Sequence, residues 1–200
     1  MNKNQKNMIT ALIMTLGVLI IASWFINSTS PGMVSEPANF YGTSKEVSLD
    51  EMKEVADKSN FSLFLPFNLP KNLVLTAIYL KESPFIAIVV YSANNNKDYI
   101  TAEFTIEIAP VNPKWIPTFD ELQSEAEQSP DKTALKINTW SVMIYENADI
   151  GGNSEKRELY GDFTLLVNLW IDDIGYLYCA PTLTVNDAIS IVGSMTSLNT

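Results

Sequence analysis

Hydrophobic and polar residues alternate with a period of two between residues 99 and 109. This spacing predicts a β-strand over 99–109, because successive side chains of a strand point to opposite faces of the sheet. One predicted face carries Ile100, Ala102, Phe104, Ile106 and Ile108, and the other carries Thr101, Glu103, Thr105 and Glu107. The pattern is typical of an antiparallel sheet with one face packed on the core and the other in water. We therefore expect Glu103 and Glu107 to be solvent-exposed.

Further strands are predicted where apolar runs lie between turn signals. Those signals are Ser83-Pro84, the Asn-rich segment 94–98 and Asp172-Asp173, because Pro, Asn and Asp favour turns. A polar loop is predicted over 147–157. The predicted strands cover residues 73–81, 85–91, 133–138, 140–145, 158–171 and 175–181.

Two helices are predicted from capping boxes, in which a side-chain hydroxyl and an acidic side chain three residues later satisfy free N–H groups at the helix start. The first helix is predicted over 48–59, with Ser48 and Glu51 as the capping pair. The second begins at Thr118, with Glu121 as its partner, and is short and acidic.

A third helix is predicted over 185–197. Thr184 can cap this helix, and the negative charge of Asp187 is favourable near the positive N-terminal end of the helix dipole. Its apolar stripe consists of Ala188, Ile191, Val192, Met195 and Leu198. Strands and helices do not alternate along the chain as they would in a parallel α/β fold. We therefore predict the α+β class, with a curved antiparallel sheet covered by two or three helices.

The N-terminal segment 8–26 is apolar, and no charged residue occurs between Lys6 and Glu36. As a helix this segment would span about 28 Å, close to the hydrocarbon thickness of a bilayer. Trp24 lies at its far end, where aromatic rings favour the membrane interface. The segment is therefore predicted to be a transmembrane signal anchor that contacts the lipid bilayer.

The positive-inside rule orients this anchor, because Lys3 and Lys6 precede it. Residues 1–7 then form a cytoplasmic tail, 27–47 a linker, and 48–200 an extracytoplasmic domain of a single-pass membrane protein. The alternative is a cleaved signal peptide, although its apolar part is usually shorter. A lipoprotein anchor is excluded, since Cys179 is the single cysteine of the sequence.

The composition of the chain excludes several classes of function. The chain has 13 basic and 23 acidic residues, which gives a formal net charge of −10. Such a charge argues against nucleic acid as a partner, because binding DNA or RNA requires positive charge. The absence of histidine excludes histidine-based triads and metal sites. A single cysteine excludes an intrachain disulfide.

The strongest metal candidate is the segment 147–158, whose oxygen-bearing residues partly follow the spacing of an EF-hand loop. Gly151 supplies no side-chain ligand, Ser154 replaces the usual apolar residue, and Lys156 and Arg157 are adjacent cations. The predicted flanks are also strands, whereas an EF-hand needs helices. We therefore interpret this segment as a solvated loop, and no metal or cofactor is predicted.

No residue is predicted to be catalytic. The carboxylate pairs Asp120-Glu121 and Asp172-Asp173 are explained by a helix start and a turn. Cys179 is interpreted as a small buried hydrophobic residue, because the chain has no histidine to activate it. Three tryptophans could line a ligand cavity or belong to the core, and the sequence leaves both alternatives open: Trp115, Trp140 and Trp170.

Three stretches together resemble a domain-of-unknown-function family found on membrane-anchored extracytoplasmic proteins of bacteria and archaea, which is similar to the LolA/RseB-like group. The stretches are Leu65-Pro66-Phe67-Asn68-Leu69-Pro70, then Trp170, Gly175 and Tyr178, and finally Thr184, Asp187, Ile191, Ser194 and Met195. The resemblance covers residues 48–198. It implies a half-open antiparallel barrel with helices in its mouth, and a role in binding or sensing. Some members of the family are linked to anti-sigma factors. The predicted cytoplasmic tail of seven residues differs from those members, because it is too short to hold a sigma-binding domain.

The sequence thus favours a membrane-anchored extracytoplasmic module that binds or senses an apolar ligand or a partner segment. The alternative is a structural or accessory subunit of a larger membrane or cell-envelope assembly. A third alternative is an enzyme that uses carboxylates alone, but we expect that the protein is not an enzyme. The expected partners are the lipid bilayer, through residues 8–26, and an apolar ligand or a protein.

Overall fold

The computed structural model describes residues 43–150 and 153–198. The predicted cytoplasmic tail, the predicted anchor over 8–26 and most of the predicted linker therefore lie outside the described residues. Within the described residues, no helix combines the length and the hydropathy needed to cross a membrane. The chain from Thr43 onward forms one compact unit.

The described residues form ten β-strands. Their bounds are Lys45–Glu46 (β1), Phe64–Pro66 (β2), Val74–Glu82 (β3), Phe85–Ser92 (β4), Phe104–Pro110 (β5), Lys132–Ile137 (β6), Trp140–Asp149 (β7), Phe163–Ile171 (β8), Ile174–Ala180 (β9) and Met195–Ser197 (β10). Four α-helices lie wholly within the same ranges. They are Leu49–Lys58 (α1), Phe119–Ala126 (α2), Ser154–Tyr160 (α3) and Val185–Gly193 (α4).

Eight of these strands form one sheet in the order β1-β3-β4-β5-β9-β8-β7-β6. Every pairing in this sheet is antiparallel. The strands β2 and β10 form a separate antiparallel pair. The predicted α+β class with a large antiparallel sheet is therefore confirmed.

One face of the sheet carries the hydrophobic core, and we call it the core face. Ile106, Val167 and Tyr178 of the sheet belong to one buried cluster, together with residues from α1, α4, β2 and β10. Two tyrosine hydroxyls attach the small β2/β10 pair to this face. The hydroxyl of Tyr176 accepts a hydrogen bond from the backbone N–H of Phe64 at 3.1 Å, and that of Tyr178 donates to the sulfur of Met195 at 2.7 Å.

The predicted starts of the three helices are confirmed. Ser48 N–H donates to the Glu51 carboxylate at 2.7 Å, and Thr118 N–H donates to Glu121 at 2.9 Å. In each pair the hydroxyl accepts the reciprocal bond, so that both capping boxes are complete. Thr184 and Asp187 also form a complete capping box at the start of α4.

The strand predicted over 99–109 is too long, because regular pairing begins at Phe104. The residues before it form a turn around Asp98. The Asp98 carboxylate accepts from the backbone N–H of Ile100 at 2.9 Å, and its carbonyl accepts from Ala102 N–H at 2.9 Å. A side chain that bonds its own backbone two residues on competes with sheet formation.

The polar loop predicted over 147–157 is also wrong. Strand β7 continues to Asp149, and α3 occupies Ser154–Tyr160. The side chain of Asn153 caps this helix by accepting from Lys156 N–H at 2.8 Å. Consequently β8 begins at Phe163 rather than at residue 158.

The C-terminal segment differs from the prediction over 185–197, because α4 ends at Gly193. The next residues turn into β10, whose Met195 lies opposite Pro66 of β2. At the other end, β1 occupies the last residues before the predicted domain start and pairs with β3.

Candidate functional site

The face of the sheet opposite the core face, which we call the second face, carries the candidate functional site. Two rows of side chains cross its four central strands in register. One row consists of Ile88, Glu107, Leu177 and Asn168, and the next consists of Val90, Thr105, Cys179 and Leu166. None of these eight residues belongs to the buried core cluster.

The centre of the second face is only half-buried. Ile88 and Thr105 are buried at its β4/β5 side, with 3% and 8% exposure. Glu107, Leu177 and Asn168, which follow one another across β5, β9 and β8, retain intermediate exposure. Apolar and polar side chains therefore stand together on a partly open surface of the sheet.

One border of the second face is covered by the chain that leaves β5. Val111 donates its backbone N–H to the Asp173 carbonyl at 2.7 Å. Its side chain lies so close to Gly175 that an added Cβ there would come within 2.7 Å of Val111 Cγ2. A side chain larger than hydrogen at residue 175 would displace this covering segment.

Helix α2 covers the adjacent border over β6 and β7 and brings a network of paired charges. The Lys132 ammonium lies 2.8 Å from the Glu125 carboxylate, and the Tyr145 hydroxyl donates to the same carboxylate at 3.3 Å. Asn168 forms a side-chain hydrogen bond with Tyr145, whose pKa is raised mainly by burial. The acidic group at this border is therefore compensated by a cation and by hydrogen bonds.

Helix α3 covers the opposite border of the second face. The hydroxyl of Tyr160 donates to the Thr101 carbonyl at 2.9 Å, which attaches the helix to the turn before β5. One turn earlier, Lys156 extends to β9 and donates to the sulfur of Cys179 at 3.1 Å. The three covering segments thus contact the borders of the second face, and Lys156 extends beyond the border to Cys179 in the second row.

Glu107 differs from the acidic residues at the borders. Burial raises the pKa of its carboxyl group to about 8, and no charged or hydrogen-bonding group among the described residues contributes to the shift. In register it lies between Ile88 and Leu177, so that its strand neighbours are apolar. Burial raises the pKa of the Tyr99 phenol, and the charge of Asp98 and, less strongly, that of Glu107 raise it further. Glu107 is thus half-buried, and the expectation that it is fully exposed to water is wrong.

Glu103 lies in the bend directly before β5. Its Oε2 atom is buried and has no hydrogen-bond partner among the described residues. Its charge helps to raise the pKa of Tyr160, after burial of that phenol. The second of the two glutamates expected in water is thus also partly enclosed, close to helix α3.

Cys179 is half-buried rather than fully buried, and it is paired with an unexpected neighbour. Lys156 is 6% exposed, and no carboxylate among the described residues forms an ion pair with it. The Thr164 hydroxyl also lies 3.6 Å from the sulfur. Sequence reasoning missed this contact because it assigned Lys156 to a solvated loop, although Asn153 three residues earlier is a good helix cap.

The three tryptophans do not converge on one cavity. Trp115 is 59% exposed, whereas Trp170 is 8% exposed and stands on the second face opposite Gly175. Trp140 packs edge-on against Phe64 at 5.4 Å and belongs to the core face.

Polar side chains of the segment 147–158 form ion pairs and hydrogen bonds with other groups of the protein. Asp149 forms an ion pair with Arg157, which also lies 3.2 Å from Asp162, and Asn153 caps α3. Across residues 43–150 and 153–198, no group of three or more acidic or cysteine side chains is placed to hold a metal ion.

The residues that carry the family resemblance occupy definite places in this fold. Leu65 and Pro66 lie in β2, Trp170 faces Gly175 across β8 and β9, and Thr184 caps α4. The resemblance itself stays a prediction. Compared with known proteins, the chain matches no protein-family model, no curated protein and no solved structure.

Proposed function

We propose that this protein is a membrane-anchored extracytoplasmic module that binds a small amphiphile on the second face of its sheet. The observation that carries the proposal is the half-buried centre of this face, where Leu177 and Leu166 stand beside Glu107 and Asn168. Ligand sites are mostly apolar and contain a few polar groups that fix orientation. The second face has this composition.

The energetic argument follows from the apolar area that remains exposed. Covering apolar surface contributes about 25 cal/mol for each Å² removed from water. Leu166 and Leu177 retain exposure although they lie on central strands, whereas the corresponding positions of the core face are completely buried. An alkyl chain laid across these leucines would remove that remaining surface from water.

The predicted anchor over 8–26 supports the same occupant. A domain tethered to a bilayer by a short linker stays next to a reservoir of amphiphilic molecules. A half-open, curved sheet, as the resemblance to the LolA/RseB-like group implies, would suit the binding of a single alkyl chain.

The proposal can be tested by methyl NMR on the full chain in zwitterionic lipid nanodiscs, titrated with 1-octanol. We expect saturable shifts of the Leu166 and Leu177 methyl groups, while Leu63 in the core stays unchanged. The variant Leu177→Gln should weaken octanol binding at least fivefold. The matched control Leu159→Gln, at a position that is 59% exposed on α3, should bind as the parent does.

Shifts spread equally over exposed leucines, or equal effects of the two variants, would contradict the proposal. Copurification of a stoichiometric protein from native membranes, without any octanol response, would instead favour the accessory-subunit alternative.

A further inference from the structure

We propose that Cys179 and Lys156 form a redox-controlled covalent cross-link, in which a peroxide oxidises the thiol and the lysine nitrogen then bonds to the sulfur. The product is a sulfenamide that joins helix α3 to strand β9 and fixes the helix over its border of the second face. The inference does not depend on the proposed function, because it concerns a modification of the protein rather than the binding of an amphiphile.

The first argument is the distance between the two reacting atoms. Lys156 Nζ lies 3.1 Å from Cys179 Sγ. This separation is typical of a near-attack arrangement, in which reacting atoms lie about 3–3.5 Å apart. Both residues belong to regular elements, and the hydrogen bond from the Tyr160 hydroxyl to the Thr101 carbonyl attaches α3 to the turn before β5. The fold therefore holds the nitrogen beside the sulfur.

The second argument is the burial of the Lys156 ammonium. Lys156 is 6% exposed, although lysine side chains are almost never fully buried unless they are paired. No ion pair among the described residues includes it, and its side chain donates a hydrogen bond to the sulfur of Cys179. A buried ammonium without a counter-charge lowers stability. A reaction between the two groups accounts for both the burial of this lysine and its direction.

The third argument is the chemistry open to an oxidised Cys179. The thiol is half-buried, so that a small peroxide can reach it. A cysteine sulfenic acid condenses with a thiol or with a nearby nitrogen. The sequence has no second cysteine, so no thiol of the same chain can react with it. The Thr164 hydroxyl also lies 3.6 Å from the sulfur, but an unactivated hydroxyl is a weak nucleophile. The remaining neighbour is the nitrogen of Lys156.

The reaction has two steps, with hydrogen peroxide as the oxidant. In the first step the sulfur of Cys179 attacks a peroxide oxygen, so that an S–O bond forms, the O–O bond breaks and the thiol proton leaves in a water molecule. In the second step Lys156, after releasing one ammonium proton to solvent, attacks the sulfur of the sulfenic acid. An N–S bond forms, the S–O bond breaks, and the hydroxyl leaves as water with one amine proton. The sulfur loses two electrons and the peroxide gains them.

The test treats the full chain in zwitterionic nanodiscs with hydrogen peroxide and maps the products by mass spectrometry after tryptic digestion. No lysine or arginine follows Arg157, so Cys179 lies in the tryptic peptide 158–200. We expect a product that links this peptide to 137–157, lacks two hydrogens, is uncleaved after Lys156 and is separated by dithiothreitol. Protein without peroxide should contain at least tenfold less of it.

Three variants separate the nucleophile from the charge. Lys156→Arg keeps a cation beside the sulfur but replaces the amine by a weakly nucleophilic guanidinium. It should give at least tenfold less linked product and should accumulate a sulfenic acid that dimedone labels. Lys156→Gln should lose the link as well, which covers the case in which arginine does not fit the site. The matched control Lys114→Arg, at an exposed position, should keep the yield of the parent.

The other outcomes would overturn the inference. Such outcomes are an unreacted Cys179, a disulfide between two chains as the main product, or a sulfinic acid at Cys179 with normal cleavage after Lys156. Equal yields of linked product in the parent and in Lys156→Arg would overturn the role of Lys156. None of these results affects the proposed function, because the octanol titration is carried out on the reduced protein.

Discussion

At the scale of single residues, the alternation of apolar and polar residues predicts which face of the sheet Glu107 occupies, but not how far its side chain is buried. The period of two correctly assigns Glu107 to the face opposite Ile106 and Ile108, because that follows from strand geometry alone. Its environment also depends on segments that are distant in the sequence, such as helix α3, whose Lys156 contacts Cys179 on the same face. A local pattern contains no information about which distant segment folds over a face.

The raised pKa of Glu107 predicts that stability falls with pH. An ordinary glutamate has a pKa of 4.5, whereas that of Glu107 is about 8 in the folded protein. Between these values the folded protein retains a proton that the unfolded chain releases, so the free energy of unfolding decreases as pH rises and levels off above about pH 8. Glu107→Gln should remove this loss and be more stable than the parent by about 1–3 kcal/mol at pH 9.

Urea unfolding at pH 5 and pH 9 measures this difference on the full chain. At pH 5 the parent carries a largely protonated Glu107, so the two proteins should be nearly equal in stability. Glu146→Gln serves as the control and should follow the parent at both pH values. An identical pH dependence of the parent and Glu107→Gln would show that burial of this carboxyl group does not matter for stability.

At the scale of elements, short-range signals were the reliable part of the prediction. The caps at Ser48 and Thr118 and the turn at Asp172 use groups within a few residues of each other. Asp172 has a φ of 54°, which Asp tolerates better than most residues. Helix α3 is also capped locally, by Asn153, but the polar composition of the segment 147–157 predicts a loop there. Strand β10 could not be predicted locally, since its partner β2 lies far away in the sequence.

The cap of α4 gives a prediction at this scale. Thr184 Oγ1 accepts from Asp187 N–H at 3.2 Å, and the Asp187 carboxylate accepts from Thr184 N–H at 2.9 Å. Thr184→Ala should lower the free energy of unfolding by about 1 kcal/mol, the usual effect of losing a helix cap. Thr196→Ala, at an exposed position of β10, should change it by less than about 0.5 kcal/mol. Urea unfolding measures both changes, and equal losses would contradict a specific role of the cap.

At the scale of the whole molecule, the α+β class could be predicted, because helices and strands occur in blocks along the chain. The order of the strands within the sheet could not be predicted. The central contact of the sheet joins β5 to β9, with three strands and two α-helices between them in the sequence. Such a pairing is decided by the packing of the complete chain on the core face.

Attachment to the membrane is a prediction at the same scale. The full chain, detected through a C-terminal tag, should remain in the membrane pellet after alkaline carbonate extraction. Its mass should still include the apolar segment 8–26. A soluble full-length chain, or a mature chain that begins after residue 26, would contradict the anchor.

The pairing of β2 with β10 has a consequence for how the protein is made. Phe64 lies opposite Ser197, so β2 can pair only after all strands of the large sheet have been synthesised, because β10 follows them in the sequence. The same holds for β5, which waits for β9. Contacts between distant residues slow folding, and nascent chains with unpaired strand edges are prone to aggregate. The domain is therefore expected to complete its folding only after β9 and β10 have been synthesised, with β2 and β5 unpaired until then.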